Sequence, residues 1–374
     1  MPFATCRLAT PADDPDLRRI LRETPFDGNI SLSFEREPDY FCAADIEGQF
    51  HQTMVVCETE GGKIMGMGDR SVRPLWVNGQ PTQVGYFSGF RARDDYRRGL
   101  ALARFTQQGF RYYHQLHADG RAPFYIISII ADNIPARRLL TAGLKGLPRL
   151  QEYTRMTTYA IHPARPKADL PLPRGLRLVR GSQERIPAIV DCLERNGARK
   201  QFSPHWTAEA LLSPLTPHLV IEDFFLAVDG SGCVAGCLAL WDQNTFKQTV
   251  VRGYAGLLGR FRKTINLLAP LGGWPPLPDV GAPLNQAFAC FLALDGDDPD
   301  VFAALLRAVY NEAAHRRYSY LLLGLPEASP LGRTIKSYRP LKYVSQIYLA
   351  AWEDRPQEIA SIDARPPALE IAIL

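Results

Sequence analysis

The chain repeats itself, and an internal repeat constrains a fold more than any single motif does. Cys6-Arg7-Leu8 leads into a helical stretch from Asp16 to Arg22, and Leu176-Arg177-Leu178 leads into one from Ile186 to Arg195. Each is followed by a hairpin pattern: VVCETEGGKIMGMG, containing Gly66, and FLAVDGSGCVAGCLAL, containing Gly236. Apolar runs on either side of a glycine-containing turn mark paired antiparallel strands. Further on, YIISIIADNIPARRLL (Tyr125 to Leu140) matches YLLLGLPEASPLGRTI (Tyr320 to Ile335). The pairs Arg7–Arg177 and Gly66–Gly236 share one offset, and by Tyr125–Tyr320 it has grown by about 25 residues, so the second copy carries an insertion within Gln243–Asn285. That stretch reads as the most irregular of the chain, a basic loop in which Arg252, Arg260, Arg262 and Lys263 accompany Gly253, Gly256 and Gly259.

A length of 374 residues is comfortable for two domains. The expected division is 1–162, a stiff linker at 163–173 carrying Pro163, Pro166, Pro171 and Pro173, a second copy at 174–353, and a tail at 354–374. Each copy reads strand, helix, hairpin strands, strand, amphipathic helix, strand, helix, strand. The expected class is therefore α/β (α+β), with two tandem domains, each a mixed, mainly antiparallel sheet flanked by helices.

The composition is that of a soluble globular protein, 46% hydrophobic and 22% charged. A formal net charge of +4 lacks the basic excess of a nucleic-acid binder, so no nucleic-acid partner is expected. The opening MPFATCRLATPADD has no apolar core of a signal peptide, and the longest apolar run, Ala122 to Ala131, is too short to span a bilayer. Seven scattered cysteines fit reduced thiols, and the expected location is cytoplasmic with no membrane partner.

The chemistry is expected between Val84 and Tyr113. There a strand ends near Ala92, a polar turn follows, and a helix opens at Gly99. The unpaired N–H groups of a helix start, together with Arg93, Arg97 and Arg98, make either a pyrophosphate cradle or a solvated basic turn. Tyr96-Arg97-Arg98-Gly99-Leu100-Ala101 resembles the Y-R-x-x-G-x-G/A of GNAT acyltransferases, with one residue fewer between Arg and Gly. After the apolar strand, Asn133-Ile134-Pro135-Ala136-Arg137-Arg138-Leu139-Leu140 resembles that family's N-x-x-A-x-x-L-Y. The resemblance covers Pro2 to about Ile161 well and the second half by pattern only. It implies a tandem GNAT-like fold that takes acetyl-CoA or another acyl-CoA as co-substrate and transfers the acyl group to a small-molecule or peptide amine. The coenzyme residues it implies are Arg91, Ala92, Arg93, Arg97, Arg98, Gly99, Leu100, Ala101, Asn133 and Arg137.

The catalytic pattern departs from the family. The strand before the phosphate turn has Tyr86, Phe87, Ser88, Gly89 and Phe90 where many members keep a Glu, and Leu140 stands where many keep a Tyr acid. Tyr125 and Tyr153 are substitutes for the acid, with aromatic packing as the alternative for both. Main-chain N–H groups near Phe90 to Ala92 are the oxyanion donors the resemblance implies. Some two-copy relatives use their C-terminal carboxylate as the base, so Leu374, or failing that Glu370, is a candidate; the alternative is a tail that only covers a groove. Glu35, Glu37 and Asp39 fall where the family's acceptor loop lies and are candidates for a cationic amine. No metal site is expected: His114 and His117 have no carboxylate at ligand spacing and read as a solvent-facing helix. In the second copy Asp295, Asp297, Asp298 and Asp300 crowd the corresponding helix start, and Ala328 replaces Asn133, so that copy should bind no coenzyme. Two other readings share this pattern: a silent acyl-CoA-binding sensor, and a tandem transferase using aminoacyl-tRNA, which the near-neutral charge opposes.

Overall fold

Period-two alternation decides which helix each face of the sheet receives. In the computed structural model, which describes residues 4–97, 99–272, 274–352 and 357–374, the first copy runs β1 (Ala4–Leu8), α1 (Asp14–Glu23), β2 (Ile30–Glu35), α2 (Ala44–Glu47), β3 (Phe50–Glu58), β4 (Ile64–Val77), β5 (Gln80–Ala92), α3 (Gly99–His117), β6 (Tyr125–Ile130), α4 (Ile134–Leu140) and β7 (Arg149–Ile161). On β3, Val55 and Cys57 pack under α1 with Leu17, Ile20 and Leu21, while Met54 and Val56 pack under α3 with Phe105, Phe110 and Tyr113. Both faces are covered, which is why β6 reads as an almost continuous apolar run, broken only by Ser128.

The second copy runs β8 (Arg177–Arg180), α5 (Ile186–Gly197), α6 (Ala208–Leu211), β9 (Phe224–Val228), β10 (Val234–Trp241), β11 (Gln248–Tyr254), α7 (Gly256–Arg260), α8 (Arg262–Gly272), β12 (Gln286–Leu294), α9 (Pro299–His315), β13 (Tyr320–Pro326), α10 (Gly332–Ile335) and β14 (Leu341–Ala351), and α11 (Gln357–Ala360) follows. Its β10 alternates in the same way. Cys237, Ala239 and Trp241 face α5, and Leu238 and Leu240 face α9.

The halves form one twelve-stranded sheet of order β1-β3-β4-β5-β6-β14-β7-β13-β12-β10-β9-β8. Its centre is an exchange: β14 lies between β6 and β7, and β7 pairs only with β14 and β13. The last strand of each copy is therefore a ladder partner of the other copy. The insertion differs from the loop expected of it. Its β11 pairs with β2 of the first copy in a second small sheet, and α7 and α8 follow. The proline-bearing connection runs along α9, where Asn311 accepts from the Lys167 N–H at 2.9 Å. Among the described residues no helix is long and apolar enough to cross a membrane.

Candidate active site

The parallel pair β5 and β6 is bonded only at Gly85–Tyr125, Tyr86–Ile126 and Phe87–Ile127, although both strands continue beyond. Past Phe87 they part. A bulge helps them do so: Asp69 faces Ser88 and Met67 faces Arg91, so Gly89 and Phe90 together oppose Gly68. Gly89 has φ of 63°, and a Cβ there would lie 2.5 Å from the Asp69 carboxylate, so glycine answers both backbone and space.

Two cavities meet in the gap. One, of about 500 Å³, runs under α3 and is lined by Arg97, Leu102, Phe105, Ala92 and Pro135. The other, of about 320 Å³, lies toward the small sheet and the second copy and is lined by Glu47, Asp69, Ser88, Lys247, Tyr343 and Leu374. Phe90, Arg91, Ile130, Asn133 and Ala136 line both. The two adjoin along this shared wall, a passage reaching the start of α3 and a chamber toward the second copy.

The chamber is polar where it touches β4 and β5. Asp69 is fully buried and accepts from the Tyr40 hydroxyl and the Thr53 hydroxyl, each at 2.7 Å. Burial pushes its carboxyl up, but the Arg36 guanidinium, His51 and the Thr53 bond outweigh it and hold the group well below the usual carboxylate range. Glu47 pairs with Arg36 and accepts from the Ser88 hydroxyl at 2.6 Å. Lys247 donates to the main-chain oxygen of Leu374 at 2.7 Å, and desolvation lowers its pKa to about 8. Sequence reading found no carboxylate on β5. The chamber's side-chain carboxylates arrive instead from β2, α2 and β4, as Glu35, Glu47 and Asp69, and the signal for the last was the charged pair Asp69-Arg70 within a strand.

Not all the residues singled out from the sequence come together. Arg91, Ala92, Arg97 and Asn133 line the passage, and Gly99 opens α3 beside Arg97 with φ of 60°. Asn133 caps α4 by accepting from the Ala136 N–H at 3.2 Å. Arg98 lies outside the described residues. Leu100 is 76% exposed, and neither it nor Ala101 lines a cavity. Arg93 turns to a polar surface hollow with Arg7 and Lys63, and pairs with Glu23 at 3.5 Å. Arg137 turns to the sheet, donating to the Tyr348 hydroxyl at 3.0 Å and pairing with Glu152.

Tyr153 sits on the exchanged strand β7, its ring 5.0 Å from Phe202 and outside both cavities, because it packs with Phe124 and Phe202, whereas Met156 and Thr158 of the same strand line the chamber. Tyr125 is buried with its ring stacked on Phe87 at 4.0 Å. Glu35 lines the chamber but is paired with Arg252; Glu37 pairs with Arg18 and Arg22, and Asp39 accepts from the Phe41 N–H. His117 is buried against Tyr125 rather than facing solvent, and the described residues hold no cluster suited to a metal.

The second copy repeats the parting, and beside it lies a cavity of about 330 Å³ lined by Ala293, Asp297, Gly324 and Ala328 and walled by the tail residues Pro366 and Glu370. Its β12 and β13 are paired only from Gln286–Tyr320 to Phe288–Leu322, and the bulge falls at Phe291 and Leu292, with φ of 58° at Phe291. The chain's own tail lies in this gap. Glu370 accepts from the Phe291 N–H at 2.9 Å, and Ile371 fills the space that a side chain at Gly324 would need, 2.2 Å from its Cβ position. Burial raises the Glu370 pKa to about 7. At the helix start, Asp298 already takes the N–H groups of Asp300 and Val301 at 2.8 and 3.2 Å. From this anchor the tail runs on to the chamber, with Gln243 bonded to the Ala372 carbonyl at 2.9 Å and Leu374 in the wall.

Among solved structures the chain is similar to a GCN5-related N-acetyltransferase from Sphaerobacter thermophilus, at 15% identity and a TM-score of 0.59 over 93% of this chain and 96% of that one. It is also similar to Saccharomyces cerevisiae N-myristoyltransferase with bound myristoyl-CoA, at 10% identity and a TM-score of 0.58 over 94% of this chain and 83% of that one. No family model and no curated protein matches the sequence.

Proposed function

We propose that this chain, a GNAT-type fold in two tandem copies, is an acyl-CoA-dependent N-acyltransferase that acts in the cytoplasm on the amine of a small molecule or peptide, with acetyl as the first acyl group to test. The observation that carries the reading is the asymmetric parting of strands: in the first copy a passage at the start of α3 adjoins a polar chamber, and in its counterpart the chain's own tail takes the Phe291 N–H at the bulge. The proposed copies run 1–162 and 174–353, joined by 163–173, with 354–374 as the tail.

In this reading the N-terminus of α3 at Gly99, with Arg97, holds the coenzyme phosphates, and the pantetheine arm passes Ala92 and Asn133. The amine enters from the chamber and its lone pair attacks the thioester carbon. A bulge leaves its extra residue out of the ladder, so the main-chain N–H groups at Gly89 and Phe90 serve the developing oxyanion. The C–S bond breaks, the sulfur leaves with the electron pair as a thiolate, and solvent protonates it to the thiol. The proton lost by the amine goes to a chamber carboxylate. We assign that role to Leu374 at the end of the tail, set against Lys247, with Glu47 behind Ser88 as the internal competitor.

The test is titration calorimetry with CoA and acetyl-CoA, followed by release of free thiol from acetyl-CoA in the presence of an amine panel. One coenzyme per chain and amine-dependent thiol release are expected. Coenzyme binding without turnover on any amine would reduce the reading to that of an acyl-CoA-binding protein.

A further inference from the structure

Arg91 lies where the passage and the chamber join, and lines both. Its guanidinium has little to bind. One terminal nitrogen donates to the neighbouring Phe90 carbonyl at 2.8 Å, the plane lies 4.5 Å from the Phe26 ring centroid, and the buried Nε has no partner. No carboxylate among the described residues stands within ion-pair distance of it, whereas Arg36 is paired with Glu47 and Arg97 with Asp94. Desolvation lowers its pKa to about 10, and at neutral pH it remains a cation.

Arg91 is half-buried, and a cation withdrawn even partly from water without a counter-charge is disfavoured. The fold does not require it. In the second copy Ala293 faces Cys237 as Arg91 faces Met67, so the bulged scaffold forms equally with a methyl group there. Both positions line a cavity; what distinguishes them is that the cavity beside Ala293 is walled by the chain's own tail, bonded at Phe291, whereas the one beside Arg91 adjoins the polar chamber.

We infer that Arg91 is a specificity residue that pairs with a carboxylate carried by the substrate, close to the reacting carbonyl. This rests on the proposed acyl transfer and deepens it by naming a substrate class. A planar guanidinium approached from a cavity suits bidentate pairing with a carboxylate. The carboxylate has two sources within reach of the junction: the far end of a dicarboxylic acyl group, or the acid group of an amino-acid acceptor.

Two arms separate them. The acyl arm compares binding of malonyl- and succinyl-CoA with acetyl- and butyryl-CoA. The acceptor arm, with acetyl-CoA as donor, compares thiol release with glycine, glutamate and phenylalanine against their amides. Both are run on the full chain and on Arg91→Gln and Arg91→Met, the latter keeping an apolar stem over Phe26. The expected result is a preference of tenfold or more for the carboxylate-bearing partner in one arm, lost in both variants, with affinity for CoA itself changed less than twofold. No preference in either arm of the wild type, or a preference that survives both variants, would overturn the inference. So would a loss of CoA affinity equal to the loss for every thioester, since Arg91 would then serve the coenzyme. Failure of the wild type to bind CoA at all would overturn the proposed function as well, and that is visible before either arm is read.

Discussion

The two strand partings in this molecule are the same construction put to opposite uses. In the first copy β5 and β6 separate after three bonded pairs, a glycine occupies the bulge, and the gap opens into connected cavities. In the second, β12 and β13 separate after three bonded pairs, a phenylalanine occupies the bulge, and the gap holds Glu370 and Ile371. The helix starts differ in the same sense. Gly99 has nothing within 4 Å of its Cβ position, whereas Asp298 has already satisfied the N–H groups of its own helix. A cleft of this kind is thus retired by giving its donors internal partners, with the framework left intact. The retired cleft keeps a task, because it anchors the tail whose end forms a wall of the working chamber.

The largest effect should come from separating what the exchange joins. Residues 1–162 alone leave β7 with neither of its ladder partners and β6 without β14. Expressed alone, that half should show no cooperative unfolding transition by circular dichroism, and mixing with the other half should restore one. A stable, cooperatively folded 1–162 would mean that the strands can return to their own copies.

Next in size is the chemical step. Removing Ile371 to Leu374 takes away the chamber wall and its contact with Lys247, and general-base loss costs about 10²–10⁴-fold in kcat. CoA affinity measured by calorimetry should stay within about threefold, since a base acts on the chemical step. If kcat is unchanged in the truncation but falls in Glu47→Gln, the proton goes to Glu47.

A smaller effect follows from the anchor. Glu370 has a folded pKa of about 7, above its ordinary value of 4.5. The folded chain therefore holds a proton that the unfolded chain releases. The contribution to stability is full below about pH 4.5 and is lost as pH rises through about 7, with a slope no steeper than about 1.4 kcal/mol per pH unit. Denaturant titrations at several pH values should show this decline, and Glu370→Gln should flatten it. An unchanged slope in that variant would place the titrating group elsewhere.

Much of the fold was legible in the sequence because it is written in periodicity. The repeat, the hairpins around Gly66 and Gly236, and the long helix from Gly99 are local patterns. The exchange of β7 and β14 was not legible, since a strand's apolar pattern is satisfied equally by its own copy or by the other. The insertion misled because its glycines and prolines read as irregular, while β11 gains regular structure only from pairing with β2, far away in the sequence. In the site, the helix start at Gly99 was the readable part; Asn133 was singled out for the coenzyme, and its cap on α4 was not foreseen. Side-chain direction was not, so Arg93, Arg137 and Tyr153 leave the passage, while Glu47, Asp69 and Lys247 enter the chamber from elements whose proximity is purely tertiary.

The central claim is that coenzyme enters one parting and that the tail and Asp298 bar it from the other, and calorimetric stoichiometry on three proteins tests it most directly. Wild type should bind one CoA per chain. Gly99→Val, which puts a β-branched residue at a φ of 60°, should weaken that binding by at least about tenfold. Asp298→Ala, which frees the second helix start, should leave both stoichiometry and affinity unchanged, because Glu370 still holds the Phe291 N–H at the bulge. Two coenzymes per chain, or a single site that survives Gly99→Val and changes in Asp298→Ala, would contradict the account.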